Sequence, residues 1–170
     1  MRILIASIAS LLFVTTASAA NFVLTSTAFQ AHKAIPVLYT CDGKNISPPF
    51  HWENSPANTR SYVFIETGTE WASGDAYKWI IYNLPGTLTD LLQGADEDLP
   101  GEAMTGMNTF HDAIYRGPCP PDSRVRNYSF TLYALDAMLP LDEKADVDDV
   151  MAAMKHHILA QTVLIGYFQH

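Results

Sequence analysis

Residues 127–136 read NYSFTLYALD. Tyr128, Phe130, Leu132 and Ala134 alternate with Asn127, Ser129, Thr131 and Tyr133. A period of two puts the first set on one face of a strand and the second on the other. Tyr, Phe and Thr also favour a pleated backbone. The stretch predicts the best-defined strand of the chain, with one face against a core. Outward from it, residues 161–168 (QTVLIGYF) predict a closing strand, and residues 61–66 (SYVFIE) and 78–84 (KWIIYNL) two more. Residues 22–26 predict a first strand and residues 50–52 a short one. Residues 67–77, with Gly68, Ser73, Gly74 and Asp75, predict a loop. Residues 94–117 predict a long irregular segment, of the sort that often carries function.

One helix is expected, over residues 146–159. Asp146 can cap it, and Asp149 sits near its positive end. Val147, Val150, Met151, Met154 and Ile158 fall on a single apolar face, and Lys155 lies in the last turns. Many short strands with turn signals and one late helix predict a mainly β protein, an antiparallel β-sandwich.

The chain has 170 residues, 10 Lys+Arg against 18 Asp+Glu, and a formal net charge of −8. An acidic balance argues against a nucleic-acid partner and against docking on anionic membrane by charge alone. No Gly-x-Gly-x-x-Gly or P-loop string is present, and no Gly-x-Ser-x-Gly elbow. No cofactor is implied, and with no visible nucleophile–base pair the chain reads as a non-enzyme. At the start, Arg2 precedes an apolar run from Ile3 to Val14, followed by Ala17-Ser18-Ala19. This is the pattern of a cleaved secretory signal peptide, residues 1–19, leaving residues 20–170 as one exported domain, periplasmic or secreted. The run is shorter than the roughly 20 residues that span a bilayer, so no transmembrane segment is expected after cleavage.

Export makes Cys41 and Cys119 more apt to pair than to stay free. Two cysteines are too few for a four-cysteine zinc site. His156 and His157 are adjacent, so on a helix they would point about 100° apart and not converge on one ion. One should be half-buried and the other exposed. Glu66 and Glu70 read best as solvated loop carboxylates. Gly117-Pro118-Cys119-Pro120-Pro121 is stiff and poor in backbone donors, suited to a stapled turn or a pocket wall.

Six segments in order resemble the phosphatidylethanolamine-binding protein family, in its bacterial Raf-kinase-inhibitor-like branch of the YbhB/YbcL type. They are residues 39–52 (YTCDGKNISPPFHW), 61–65, 78–85 (KWIIYNLP), 115–121 (YRGPCPP), 128–136 and 157–167 (HILAQTVLIGY). The resemblance implies a large antiparallel sheet on a smaller one, peripheral helices, and a small anion-selective pocket for a phosphate or phospholipid head group. It also implies binding and regulation rather than catalysis, and sets the two cysteine loops beside the pocket, consistent with a Cys41–Cys119 disulfide. Carried over residue by residue, the family's two pocket aspartates fall on Thr67 and Thr69. Its His-Trp becomes Lys78-Trp79, and its His-Arg-Tyr becomes Arg126-Asn127-Tyr128. The wall with Pro120 and Pro121 is kept, as is Tyr128. The implied ligand set is therefore Thr67, Thr69, Lys78, Pro120, Pro121, Arg126 and Tyr128, with permanent cations where the family has imidazoles. The alternative is an interaction or inhibitor module with a protein partner, its pocket closed by Glu66 and Glu70 pairing with Lys78 and Arg126.

Overall fold

The computed structural model describes residues 21–71 and 74–170; of residues 70–75, no side chain is described. The expected signal peptide lies outside the described residues. Three short strands form one sheet in the order β1-β2-β5: β1 Val23–Thr25, β2 Phe50–Glu53 and β5 Asp90–Leu91. The second sheet has the order β6-β4-β3-β7-β8. Its strands are β3 Ser61–Trp71, β4 Gly74–Pro85, β6 Met104–Thr105, β7 Arg126–Leu135 and β8 Ile158–Phe168. Neighbouring strands pair antiparallel. The expected architecture, a large sheet over a smaller one, is what the chain adopts.

The two faces of the large sheet are both covered, as alternation along β3 shows. Tyr62 and Phe64 face the small sheet, where they join Leu24, Phe50, Trp52, Trp79, Phe130 and Leu132 in the main core. Val63 and Ile65 face the other way and pack with Ile80, Tyr82, Leu139, Val150 and Met154 under the helix. On β7, Tyr128, Phe130, Leu132 and Ala134 are all buried at 0% exposure, so the alternation read from NYSFTLYALD holds at every position.

Two readings are corrected. Residues 67–71 and 74–77 are strand rather than loop: β3 runs on to Trp71 and β4 begins at Gly74. Gly68 sits inside β3 because a Cβ there would come within 2.6 Å of the Tyr128 ring. The glycine marks a close approach rather than a turn. The helix, α1, spans only Val147–Met154; Asp146 caps it by accepting from the Asp149 N–H at 2.9 Å. It stops a turn early because Ile158 already pairs with Leu135 as the start of β8. A ladder to β7 satisfies that backbone, and Ile158 leaves the helix face to stand 40% exposed. Met151 is also exposed, at 39%. His156 is exposed and His157 half-buried, as expected, with His157 Nδ1 2.8 Å from Asp136.

Asn83 adopts φ 59° at a register shift between β3 and β4. Its amide brackets Leu139, donating to the carbonyl at 3.0 Å and accepting from the N–H at 2.7 Å. Asn83→Ala leaves the buried Leu139 N–H without a partner, while the Leu139 carbonyl keeps the Leu141 N–H at 2.9 Å, and should cost about 1–3 kcal/mol in denaturant unfolding. On the small sheet, His51 lies opposite Asp90 and meets it at 2.7 Å, with Glu53 at 3.3 Å. The hydrogen bond to Asp90, then that to Glu53, raises the His51 pKa above 6.5. Its stabilising contribution is therefore complete below the unfolded pKa and lost as pH rises through the folded one. The stability gap between wild type and His51→Gln should shrink between about pH 5.5 and about pH 8.5, a range spanning the imidazole titration.

Candidate functional site

Two loops meet at the open end of the large sheet and enclose a cleft of about 210 Å³. Cys41 and Asn45 line it from one loop; Phe110, Arg116, Gly117, Cys119 and Pro121 line it from the other. Lys78 of β4 also lines it. The loops are stitched together by backbone and side chain. Cys41 N–H donates to Pro118 O at 3.1 Å, Gly117 N–H to Asn45 Oδ1 at 2.9 Å, and Tyr115 Oη–H to Tyr39 O at 2.8 Å. A Cβ on Gly117 would fall 2.1 Å from Tyr39 O, so only glycine lets the strands of this seam close. The Cys41–Cys119 disulfide, with Cα atoms 5.4 Å apart, completes the seam.

Lys78 reaches the cleft through a bulge. Glu66 pairs with Trp79 and Thr67 with Tyr77, so Lys78 is the extra residue of β4. A bulge re-aims a side chain without ending the sheet. Its stem runs beside Gly68, whose added Cβ would lie 3.3 Å from Lys78 Cδ. Lys78 is 1% exposed, and its Nζ sits 5.4 Å from the centre of the Phe110 ring. Arg116 Cζ approaches the same ring at 5.1 Å. Both contacts are cation–π in range. Asn108 holds Phe110 in place: its amide donates to Lys78 O at 3.4 Å and Ile114 O at 3.3 Å, while its Oδ1 accepts from the Phe110 and Asp112 N–H groups. Arg116 also binds Asp112 through Nε at 2.8 Å and through Nη2.

Behind the cleft the sheet is charged as well as aromatic. Glu66 is 0% exposed, on the core-facing side of β3 opposite Trp79 and Phe130, so the reading of it as a solvated loop residue is overturned. Tyr115 packs edge-on to Trp79, centroids 5.3 Å apart. Burial first, then the charge of Glu66, pushes its phenol well above 10, so it is a neutral donor.

The other residues singled out from the sequence are placed as follows. Thr67 pairs with Tyr77 and Ser129, on the face of β3 turned away from the main core. Thr69 is exposed and donates to Asn127 O at 3.4 Å. Arg126 donates to Thr69 O at 3.3 Å and binds Asp122 at 3.0 Å, so its compensating carboxylate is Asp122. Arg124, then Arg126, holds the Asp122 carboxyl at about 2. Tyr128 lies buried against Gly68, and Pro120 is buried with its carbonyl 2.7 Å from His170 Nε2. The postulated Glu70 pairing falls on a side chain outside those described. Asn45, Phe110 and Arg116 were not anticipated; Arg116 stands in the same YRGPCPP segment as the wall, which is the one signal that points to it.

Residues 25–169 match the family model described as phosphatidylethanolamine-binding protein. The chain belongs to that family. A UPF0098 protein of Methanothermobacter thermautotrophicus is 40% identical over 144 residues, covering 84% of this chain and 95% of its own length. One from Chlamydia pneumoniae is 38% identical over 151 residues, covering 86% and 97%. A crystal structure from Chlamydia trachomatis, described as a homologue of the family, superposes with TM-score 0.82 at 34% identity, over 90% of this chain and 99% of that one. Escherichia coli YbcL superposes with TM-score 0.83 at 24% identity, over 89% and 99%, which speaks to the fold.

The disulfide closes a separation of 78 residues, which corresponds to about 4 kcal/mol by chain entropy. A Cys41→Ser/Cys119→Ser double variant should lose about that much in a guanidinium titration.

Proposed function

We propose that the cleft binds a small anion, a phosphate or the phosphoester head group of a phospholipid, and that the protein binds this ligand without transforming it. The observation that carries the reading is the pair of cations, Lys78 and Arg116, set on the single ring of Phe110 in one cleft. A buried ammonium acts through a low local dielectric, and an arginine fork has donors to spare beyond its bond to Asp112. A volume of about 210 Å³ lies below the roughly 300–1,000 Å³ of drug-sized sites, so it suits a head group rather than a whole lipid. Pro121 supplies a rigid wall. The leader pattern and the disulfide support work in the periplasm or outside the cell.

The pairing of Arg126 with Asp122 favours, for that part of the implied pocket, the alternative of a closed site and a protein-binding surface. Calorimetric titration of sulfate and of phosphoethanolamine separates the two. Both anions should bind wild type, more weakly at high salt. Arg116→Ala should weaken binding by about 1.5–3 kcal/mol, the scale of a charged hydrogen bond. Lys78→Met, which keeps the stem and removes the charge, should abolish it. Absence of binding by either anion, or equal binding by all three proteins, overturns the reading.

A further inference from the structure

We propose that Cys41, Cys119 and His170 form a second site, a thiolate–imidazole centre for a divalent cation of the zinc class, assembled when the disulfide is reduced. A sulfur of each cysteine and a ring nitrogen of His170 lie within 4.8 Å of one another. On a tetrahedral centre with Zn–S near 2.3 Å and Zn–N near 2.0 Å, neighbouring ligand atoms stand about 3.5–3.8 Å apart. Rotation of three side chains therefore brings the set to coordination distance.

The surroundings of His170 strengthen the case. Its Nδ1 lies 2.9 and 2.8 Å from the two oxygens of Asp42. A carboxylate on one ring nitrogen is the usual support for a histidine that ligates through the other, because it fixes the tautomer and the ring plane. The other nitrogen, Nε2, faces Pro120 O at 2.7 Å, beside Cys119. A cation entering there replaces that hydrogen bond. Cys41 and His170 are exposed, which gives an entry path and leaves a fourth position to water. His170 is 128 residues from Asp42, so this set comes together only in the fold.

The chemistry balances simply. A dithiol supplies two electrons and two protons and leaves as its own disulfide; a phosphine supplies two electrons and leaves as its oxide, one water giving the oxygen and the two protons; by either route the disulfide becomes two thiols. Binding of the cation then releases to solvent the two thiol protons and the Nε2 proton that His170 had donated to Pro120 O. The same residues thus hold two alternative cross-links between the same loops, one covalent and one ionic.

The test uses the full chain, reduced with a phosphine under argon and titrated with Co²⁺ as a spectroscopic stand-in for Zn²⁺. Expected are one equivalent bound, a thiolate-to-metal charge-transfer band, and the intense visible bands of a tetrahedral centre. The oxidised protein should show none of these. Asp42→Asn should weaken binding by about 10–100-fold, as loss of a supporting carboxylate does, and His170→Ala by at least as much. Thermal unfolding of each reduced variant by circular dichroism confirms that a folded protein is compared. If the reduced protein is folded and shows no charge-transfer band, the proposal fails. It fails equally if His170→Ala binds as wild type does, or if the reduced chain is unfolded and Co²⁺ does not refold it.

Discussion

Burial of the Lys78 ammonium is the constraint on which the site end of this fold depends. A lysine at 1% exposure is expensive unless the surroundings accommodate its charge. The accommodation is distributed. The β4 bulge aims the side chain toward the small-sheet side of β3, and Phe110 presents a ring face to the ammonium. Asn108 ties the Phe110 loop back to the carbonyl of Lys78 itself, so the cation and its ring move as one unit.

That unit backs directly onto the core. Phe50, Phe64 and Phe130 form a cluster of tilted rings with centroids 4.8–6.4 Å apart, and Phe64 stacks edge-on to Trp79. Trp79 in turn carries Tyr115, whose hydroxyl fixes the first cleft loop at Tyr39. The chain from core to cleft wall is therefore continuous in packed rings. A cleft so supported is pre-formed, which reduces the ordering cost of binding a small ligand.

Much of the sheet was legible because period two is a strong signal where one face is buried. NYSFTLYALD could be read residue by residue. The β3–β4 pairing was not, because a glycine signals a turn equally well when it sits in a strand for close packing, as Gly68 does. The helix end was illegible for a different reason: a helical apolar spacing at Ile158 competes with a ladder to β7 that no local pattern reveals. Site residues divided along similar lines. The disulfide was legible from two cysteines, a leader pattern that implies export, and the place the resemblance gives their loops. Thr67 and Thr69 were reached by counting alone. Strand alternation puts Glu66 and Gly68, not Thr67, on the face shared with Lys78 and Tyr128, and a slip of one residue exchanges the faces of a strand. Asn45, Phe110 and Arg116 stand singly in loops, where no periodicity marks them.

The alternation also explains how a lysine came to fit where the resemblance implies a histidine. A lysine stem is longer than an imidazole and needs a channel along the sheet. Gly68 provides it: any Cβ there would stand 2.6 Å from the Tyr128 ring and 3.3 Å from Lys78 Cδ. Under 3 Å against a ring buried at 0% exposure leaves nothing free to yield. Gly68 and Lys78 are thus coupled by volume, and a larger residue at 68 displaces Tyr128, Lys78 or both. Arg126 has no such channel. It lies at the start of β7, where Asp122 is four residues away and receives its fork. The two cations that the resemblance sets against imidazoles therefore have different surroundings: Lys78 lines the cleft, and Arg126 lies outside that lining, bound to Asp122.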